Sequence, residues 1–334
     1  GDKMLKSLNE CTPQEMLALK ASELKEAIRL SEGRVVTTLS RVRGPNYLQY
    51  VTNAEVCAAF GSDILYLDTY NPRKPYFPGL VSKNPEDDEP FRDVQIQIGK
   101  GWTAREIRAL VGRPLSASMM FDPPSYGGHT IDTGYADSQE RNVAGLPMTT
   151  WDDFELAIDQ GFDIIHMGGW GEPKQYCETT REMVKRAAGR VIIHSGIPHG
   201  PGLIYAKDEP YNIGNLLTPD FAKARADTGA DIIDVPAAGS LPGFTVEYVR
   251  TLADIIHKAG ALVNVGIHNS QEGTDVETIK RIAIDNRTAG ADMCMLGDAG
   301  VNENVALPDV LNSVCIAVKG KQYTYRRMCQ SVLR

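Results

Sequence analysis

Eight glycines constrain this chain more than any other feature, because each stands where one regular element must stop and another begin. Four open a Gly-x-Asp signature followed by an apolar run: Gly61-Ser62-Asp63 before Ile64-Leu65-Tyr66-Leu67, Gly161-Phe162-Asp163 before Ile164-Ile165-His166-Met167, Gly229-Ala230-Asp231 before Ile232-Ile233-Asp234-Val235, and Gly290-Ala291-Asp292 before Met293-Cys294-Met295-Leu296. Four more, Gly33, Gly112, Gly189 and Gly260, interleave with these, each ahead of a short β-rich run. A helix ends most easily on a left-handed residue, where Gly carries no Cβ penalty. Each glycine therefore marks a helix stop and a strand start. The segments between carry their own helix starts, at Thr103 with Glu106, Thr150 with Asp153, Thr218-Pro219 and Thr274 with Glu277, in the spacing of N-caps and capping boxes.

Eight strand–helix units, with no strongly alternating half-exposed strands, predict an α/β fold in which a single (βα)8 barrel of the TIM type closes on itself. A doubly wound dinucleotide-binding sheet would place Gly-x-Gly-x-x-Gly after its first strand. This chain has Ser40-Arg41-Val42-Arg43-Gly44-Pro45 there, and no nucleotide cofactor is indicated. Residues 1–32 read as an N-terminal helical extension, in which Thr12-Pro13-Gln14-Glu15 opens a helix expected to plug the N-terminal face; residues 33–334 read as the barrel. The intervals from Gly61 to Gly112, Gly112 to Gly161 and Gly189 to Gly229 exceed the roughly 30 residues a bare unit needs, so long loops are expected after strands 2, 3 and 5. These loops, 71–93, 123–146 and 198–215, are lid candidates over the C-terminal mouth.

The alternation of side chains across a strand separates two parities. One is apolar throughout (Leu65 and Leu67, Ile165 and Met167, Ile233 and Val235, Cys294 and Leu296) and should face the helices. The other carries Tyr66 and Asp68, His166 and Gly168, Asp234 and Pro236, Met295 and Gly297, and should point into the barrel. The interleaved strands add Ser40 and Arg41, Asp122, His194 and Ser195, then Asn264 and His268. These polar groups gather at strand ends, where barrels of this type build active sites, whereas Asp63, Asp163, Asp231 and Asp292 lie at strand starts and read as structural. Asp68, His166, His194 and Asp234 are the candidate catalytic residues, offering either acid–base pairs or ligands for a divalent cation (Mg²⁺, Mn²⁺ or Zn²⁺). Arg41, Asp122, Asn264 and His268 are candidate substrate contacts.

Absences narrow the chemistry. None of these strand ends carries the lysine a Schiff-base aldolase needs, and there is no Gly-x-Ser-x-Gly elbow, Walker A loop or zinc-hydrolase His-x-His. Asp68-Thr69-Tyr70 lacks the second aspartate of a haloacid-dehalogenase nucleophile motif. The chain has 35 Lys+Arg against 43 Asp+Glu, a net charge of -8, which argues against nucleic acid or an anionic membrane as partner. With 42% hydrophobic and 23% charged residues it is outside the disordered class. No apolar stretch approaches the ~18 residues that span a bilayer, and residues 1–12 lack a signal-peptide core, so a cytoplasmic location is the expectation. The six scattered cysteines, without a Cys-x-x-Cys pair, are expected to be free and mostly buried.

After strands 7 and 8, Gly266-Ile267-His268-Asn269-Ser270 and Gly297-Asp298-Ala299-Gly300-Val301-Asn302-Glu303-Asn304-Val305 lead into helix N-termini, positions suited to anions. The second run resembles the Gly-Ser-Gly-Val-x-x-x-Asn-Val grip of the phosphate-binding (βα)8 barrels and, more distantly, their BtpA-like family. It departs from that pattern at Asp298 and in a Gly300-to-Asn304 spacing one residue short. The resemblance implies phosphate recognition through Ser270, Gly297 and Gly300. The expectation is an enzyme acting on a small anionic metabolite, a sugar phosphate or oxo acid, by proton transfer, as an aldol-type lyase or isomerase. A metal-dependent hydrolase and a non-catalytic metabolite-binding or assembly barrel remain the alternatives, and apolar helix faces are compatible with a homo-oligomer.

Overall fold

All eight repeat glycines adopt positive φ, from 62° at Gly112 to 111° at Gly61 and Gly290, the conformation that ends a helix and turns the chain into the next strand. The computed structural model describes residues 5–42, 45–91, 94–119, 121, 125–126, 129–130, 149–168, 173–196, 217–267, 271–297 and 305–334. After each glycine comes a barrel strand: β1 (Val35–Arg41), β2 (Ile64–Asp68), β3 (Leu115–Met119), β4 (Ile164–Met167), β5 (Ile192–Ser195), β6 (Ile232–Pro236), β7 (Leu262–Ile267) and β8 (Met293–Leu296). All neighbours pair in parallel, and β8 returns to β1 with Val35 opposite Met293, closing the barrel.

Helices α1 (Pro13–Leu17) and α2 (Ala21–Arg29) precede the barrel, and α3 (Asn53–Ala59), α4 (Ala104–Val111), α5 (Trp151–Asp159), α6 (Pro173–Ala187), α7 (Pro219–Ala226), α8 (Val246–Lys258), α9 (Val276–Thr288) and α10 (Pro308–Cys329) surround it. Thr103–Glu106 and Thr150–Asp153 form capping boxes, and Thr218 caps α7. The start expected at Thr274 falls one residue later: Asp275 caps α9, accepting from the Thr278 amide at 3.0 Å. A carboxylate is the stronger acceptor for the first amides of a helix, so it takes the position from the neighbouring hydroxyl. No helix of the described residues is long and apolar enough to cross a membrane.

Two cores follow the two parities. Leu65, Leu67, Ile165, Met167, Ile233, Val235, Cys294 and Leu296 pack with helix residues such as Ile107, Leu252 and Leu311. Val35, Ile64, Tyr66, Ile164, Ile192, Ile232, Leu262, Met293 and Met295 form the interior cluster, and Leu8, Met16, Leu24 and Ile28 join it from the N-terminal segment.

The strand-start aspartates explain the period of the repeat. Each accepts the backbone N–H of the preceding strand: Asp63 from Val36 at 2.9 Å, Asp163 from Leu115 at 2.9 Å, Asp231 from Ile193 at 3.0 Å and Asp292 from Val263 at 2.8 Å. Each also meets a basic side chain: Lys319 and Arg327 at Asp63, Arg108 at Asp163, Lys25 at Asp231, His257 at Asp292. Four such latches fasten the odd strands to the even strands that follow them.

The cysteines are free, and all but Cys329 are buried. Burial pushes the Cys57 and Cys294 thiols up to about 12 and that of Cys315 to about 11, far from the reactive thiolate range. A chromogenic thiol reagent at pH 8 is accordingly expected to titrate Cys329 rapidly in the native protein and the remaining thiols only in denaturant. Rapid native labelling of Cys57 or Cys294, read by peptide mass, would contradict this packing.

Candidate active site

The interior parity delivers its polar groups to the C-terminal rim as the strand pattern requires. β4 and β5 place His166 opposite His194, and β6 and β7 place Asp234 opposite Asn264. The Asp234 carboxylate is held by three donors. His194 Nε2 lies 2.7 Å from Oδ1, Asn264 Nδ2 donates to the same oxygen at 2.6 Å, and His166 Nε2 lies 3.4 Å from Oδ2. The other side of His194 is occupied as well, its Nδ1 standing 2.8 Å from the Tyr66 hydroxyl. Tyr66 thereby reaches across the barrel from β2 to β5, and its ring meets both imidazoles edge-on.

Electrostatics follow from this burial and pairing. Burial alone would raise the Asp234 carboxyl, but His194 and the hydrogen bonds from both histidines outweigh it and hold the group well below the usual carboxylate range. Burial lowers His194, against the pull of Asp234, and raises the Tyr66 phenol well above its ordinary value, reinforced by Asp234. A neutral His194 that donates Nε2–H to Asp234 and accepts the Tyr66 O–H at Nδ1 satisfies every contact in the chain. At the rim Asp68 is 3.5 Å from Arg41 Nε, and burial raises its carboxyl although Arg41 and His166 both oppose the rise.

Other expected residues separate from this group. Ser40 and Ser195 have the helix-facing parity. Ser195 Oγ accepts from Arg225 Nε at 3.1 Å and lies 3.2 Å from the Tyr176 hydroxyl. Asp68 does not join the histidines as a fourth ligand: the donor atoms that converge, within 4.8 Å of one another, are those of His166, His194 and Asp234, while Asp68 is drawn to Arg41. Gly297 directly follows β8, and a Cβ there would sit 3.5 Å from a Glu272 carboxylate oxygen. Asp122, His268, Ser270 and Gly300 lie outside the described residues, as do most of the loops expected after strands 3 and 5.

Three supports were not read from the sequence. Arg225, fully buried on α7, donates to the carbonyls of Asp234 at 3.0 Å and Gly196 at 2.9 Å and to that of Ser195, fixing the ends of β5 and β6. Glu272, also fully buried, stands beyond the end of β7. Gly196 has no room for a side chain, because a Cβ would fall 2.2 Å from His166 Nε2 and 2.7 Å from the Met167 carbonyl oxygen. Gly196→Ala is expected to drive the His166 ring away from Asp234 at an overpacking cost of about 1–3 kcal/mol. A crystal structure of that variant with the ring unmoved would show the crowding to be relieved elsewhere.

The domain family described as "Domain of unknown function (DUF7916)" matches residues 9–334. The chain belongs to that family. No curated protein matches it. Among solved structures, this DUF7916 chain is similar to the carboxyl transferase domain of Rhizobium etli pyruvate carboxylase with pyruvate (13% identity, TM-score 0.49, covering 100% of this chain and 54% of that one). It is similar too to the YdjI aldolase from Escherichia coli K12 (10% identity, TM-score 0.44, 92% and 95% covered) and to thiamine phosphate pyrophosphorylase from Pyrococcus furiosus (10% identity, TM-score 0.43, 87% and 98% covered). The chain spans about half the length of the carboxyl transferase chain, and identities this low say nothing about chemistry.

Proposed function

We propose that this DUF7916 protein is an enzyme that moves a proton on a small oxygenated metabolite at the C-terminal mouth of its barrel, as an aldol-type lyase or isomerase. The observation that carries the reading is the Asp234 carboxylate bracketed by two imidazoles on neighbouring strands, 2.7 Å from His194 and 3.4 Å from His166. A carboxylate already engaged by three donors is a poor proton acceptor and a good orienting partner. His166, backed by Asp234, is then the base, and Asp68, raised by burial, is its partner acid at the rim. Arg41 would receive an anionic end of the substrate, and His194 with Tyr66 holds the pair in place.

A Schiff-base route finds no support in the buried lysine of the described residues. Lys319 is bound to Asp63 at 2.9 Å and to the Gly61 carbonyl at 2.6 Å, both at the strand-start end. A second reading has its own observation, since the three converging donor atoms also suit a divalent cation. Two imidazole nitrogens to one carboxylate oxygen favour Zn²⁺ or Mn²⁺ over Mg²⁺, and the Tyr66 contact to His194 is the kind of outer partner a ligating histidine has. Such an ion would stabilise developing negative charge on a substrate oxygen.

The deciding experiment incubates the protein in D2O with three- to six-carbon 2-oxo acids and hydroxyketones, free and phosphorylated, with and without Zn²⁺ or Mn²⁺. Proton NMR then follows exchange of the carbon-bound hydrogen. Exchange that depends on His166 and Asp234 is expected. Its absence across the panel, metals included, while generic phosphoesters or lactones are cleaved, would replace the lyase or isomerase reading with a hydrolase.

A further inference from the structure

Buried polar atoms are almost always hydrogen-bonded, so a set of orphans on one surface points to an occupant. Thr37 Oγ1, Ser116 Oγ, Ser118 Oγ, His166 Nδ1 and Asn264 Oδ1 are buried without a partner among the described residues. All five belong to the interior parity. Thr37 follows Val35, His166 follows Ile164 and Asn264 follows Leu262, each in the interior cluster, whereas Leu115, Ala117 and Met119, which alternate with Ser116 and Ser118, pack against helices.

Depth divides them. Ser116 is level with Tyr66, whose side chain crosses the barrel, and Thr37 pairs with Ile64 a step deeper, so ordered water is the natural partner for these two. Ser118 instead pairs directly with His166, and Asn264 pairs with Asp234, whose carboxylate His166 and Asn264 both contact, so these three border the acid–base group.

The chemistry of the upper three orphans is specific. Asn264 donates its amide to Asp234, which fixes Oδ1 as an acceptor. His166 turns Nε2 to Asp234, leaving Nδ1 an acceptor in the neutral ring and a donor in the imidazolium. Ser118 serves as either. None of the three carries a fixed charge, and the Asp234 carboxylate contacts both Asn264 and His166, so a phosphate there would be repelled. A group that both donates and accepts without charge meets all three needs, and that group is a hydroxyl.

We propose that the Ser118, His166 and Asn264 set bordering Asp234 binds the uncharged, hydroxylated part of the substrate, a carbon chain bearing adjacent hydroxyls. Any anionic end then lies outward, toward Arg41. The inference rests on the mouth being the active site and narrows what enters it.

The test titrates the full-length protein by calorimetry and NMR with four probes: ribitol, pentane-1,5-diol as the matched chain without inner hydroxyls, 5-aminopentan-1-ol, and inorganic phosphate. Ribitol is expected to bind at least tenfold more tightly than the diol and to shift the His166 ring resonances. Ser118→Ala is expected to weaken ribitol about three- to tenfold while leaving the diol unchanged. Equal affinity for ribitol and diol overturns the proposal, as does ribitol affinity indifferent to Ser118→Ala. Tighter binding of the aminoalcohol would make the set an ammonium site, and phosphate competing for the same ring shifts would make it an anion site; either result also overturns the proposal. If no probe binds and Ser118→Ala raises the melting temperature, the orphans are a water pocket and the inference is wrong. These results stand apart from the proton-transfer reading. Ribitol binding without deuterium exchange on any substrate defeats that reading alone, whereas exchange that depends on Asp234 with no preference for hydroxyls defeats only this one.

Discussion

Asp234→Asn is expected to slow substrate deuterium exchange by roughly 10²- to 10⁴-fold, the range associated with a positioned acid–base group. The amide keeps the shape of the carboxylate but presents its NH2 to one of two imidazole nitrogens that the carboxylate receives as donors, at 2.7 and 3.4 Å. One ring must therefore change tautomer or turn away, and the base loses its orientation, the logic by which the aspartate of a catalytic triad acts. His166→Ala should be as severe, and Asp68→Asn should lower the rate and flatten the alkaline limb of the rate profile, where a required acid loses its proton. Unaltered exchange in Asp234→Asn, with circular dichroism unchanged, would place the chemistry elsewhere in the mouth.

The second large effect lies at the opposite end of the barrel. Asp63 is 1% exposed, accepts the Val36 amide, and holds Lys319 and Arg327 at 2.9 Å each. Asp63→Ala leaves two buried cations without their carboxylate, and losing one partner of such a group costs about 3–5 kcal/mol. Urea unfolding should report a loss of that size; a change under about 1 kcal/mol would mean the cations find other partners. Burial raises the Asp63 carboxyl, but Lys319 and Arg327 outweigh it, so its folded value lies below the ordinary one. The latch therefore contributes at neutral pH and loses its contribution only as pH falls through the depressed folded value. The variant should lack that limb of the acid-unfolding curve.

What could be read from the sequence divides along physical lines. The barrel was legible because each helix end needs a left-handed residue and eight glycines supplied one in register with a strand. The inward parity was legible too, which is why Tyr66, His166, His194 and Asp234 fall into one group on strand alternation alone. Partner choice was not. Nothing in the local pattern says that Asp68 turns to Arg41 while Asp234 collects both histidines, since that depends on how neighbouring strands are staggered. Ser118 and Arg225 carry no local signal in the sequence, because their roles come from groups on other elements. Glu272 stands five residues beyond the end of β7, outside any regular period, and no periodicity reports the burial of such a residue.

The Asp63 latch has a consequence for biosynthesis. Both cations that neutralise it come from α10, more than 250 residues further along. A nascent chain emerging from the ribosome therefore carries the aspartate of its first strand pair without its cations until α10 has been made. Compaction of the first strands ahead of α10 is penalised, and the ring is committed only once that helix is in reach.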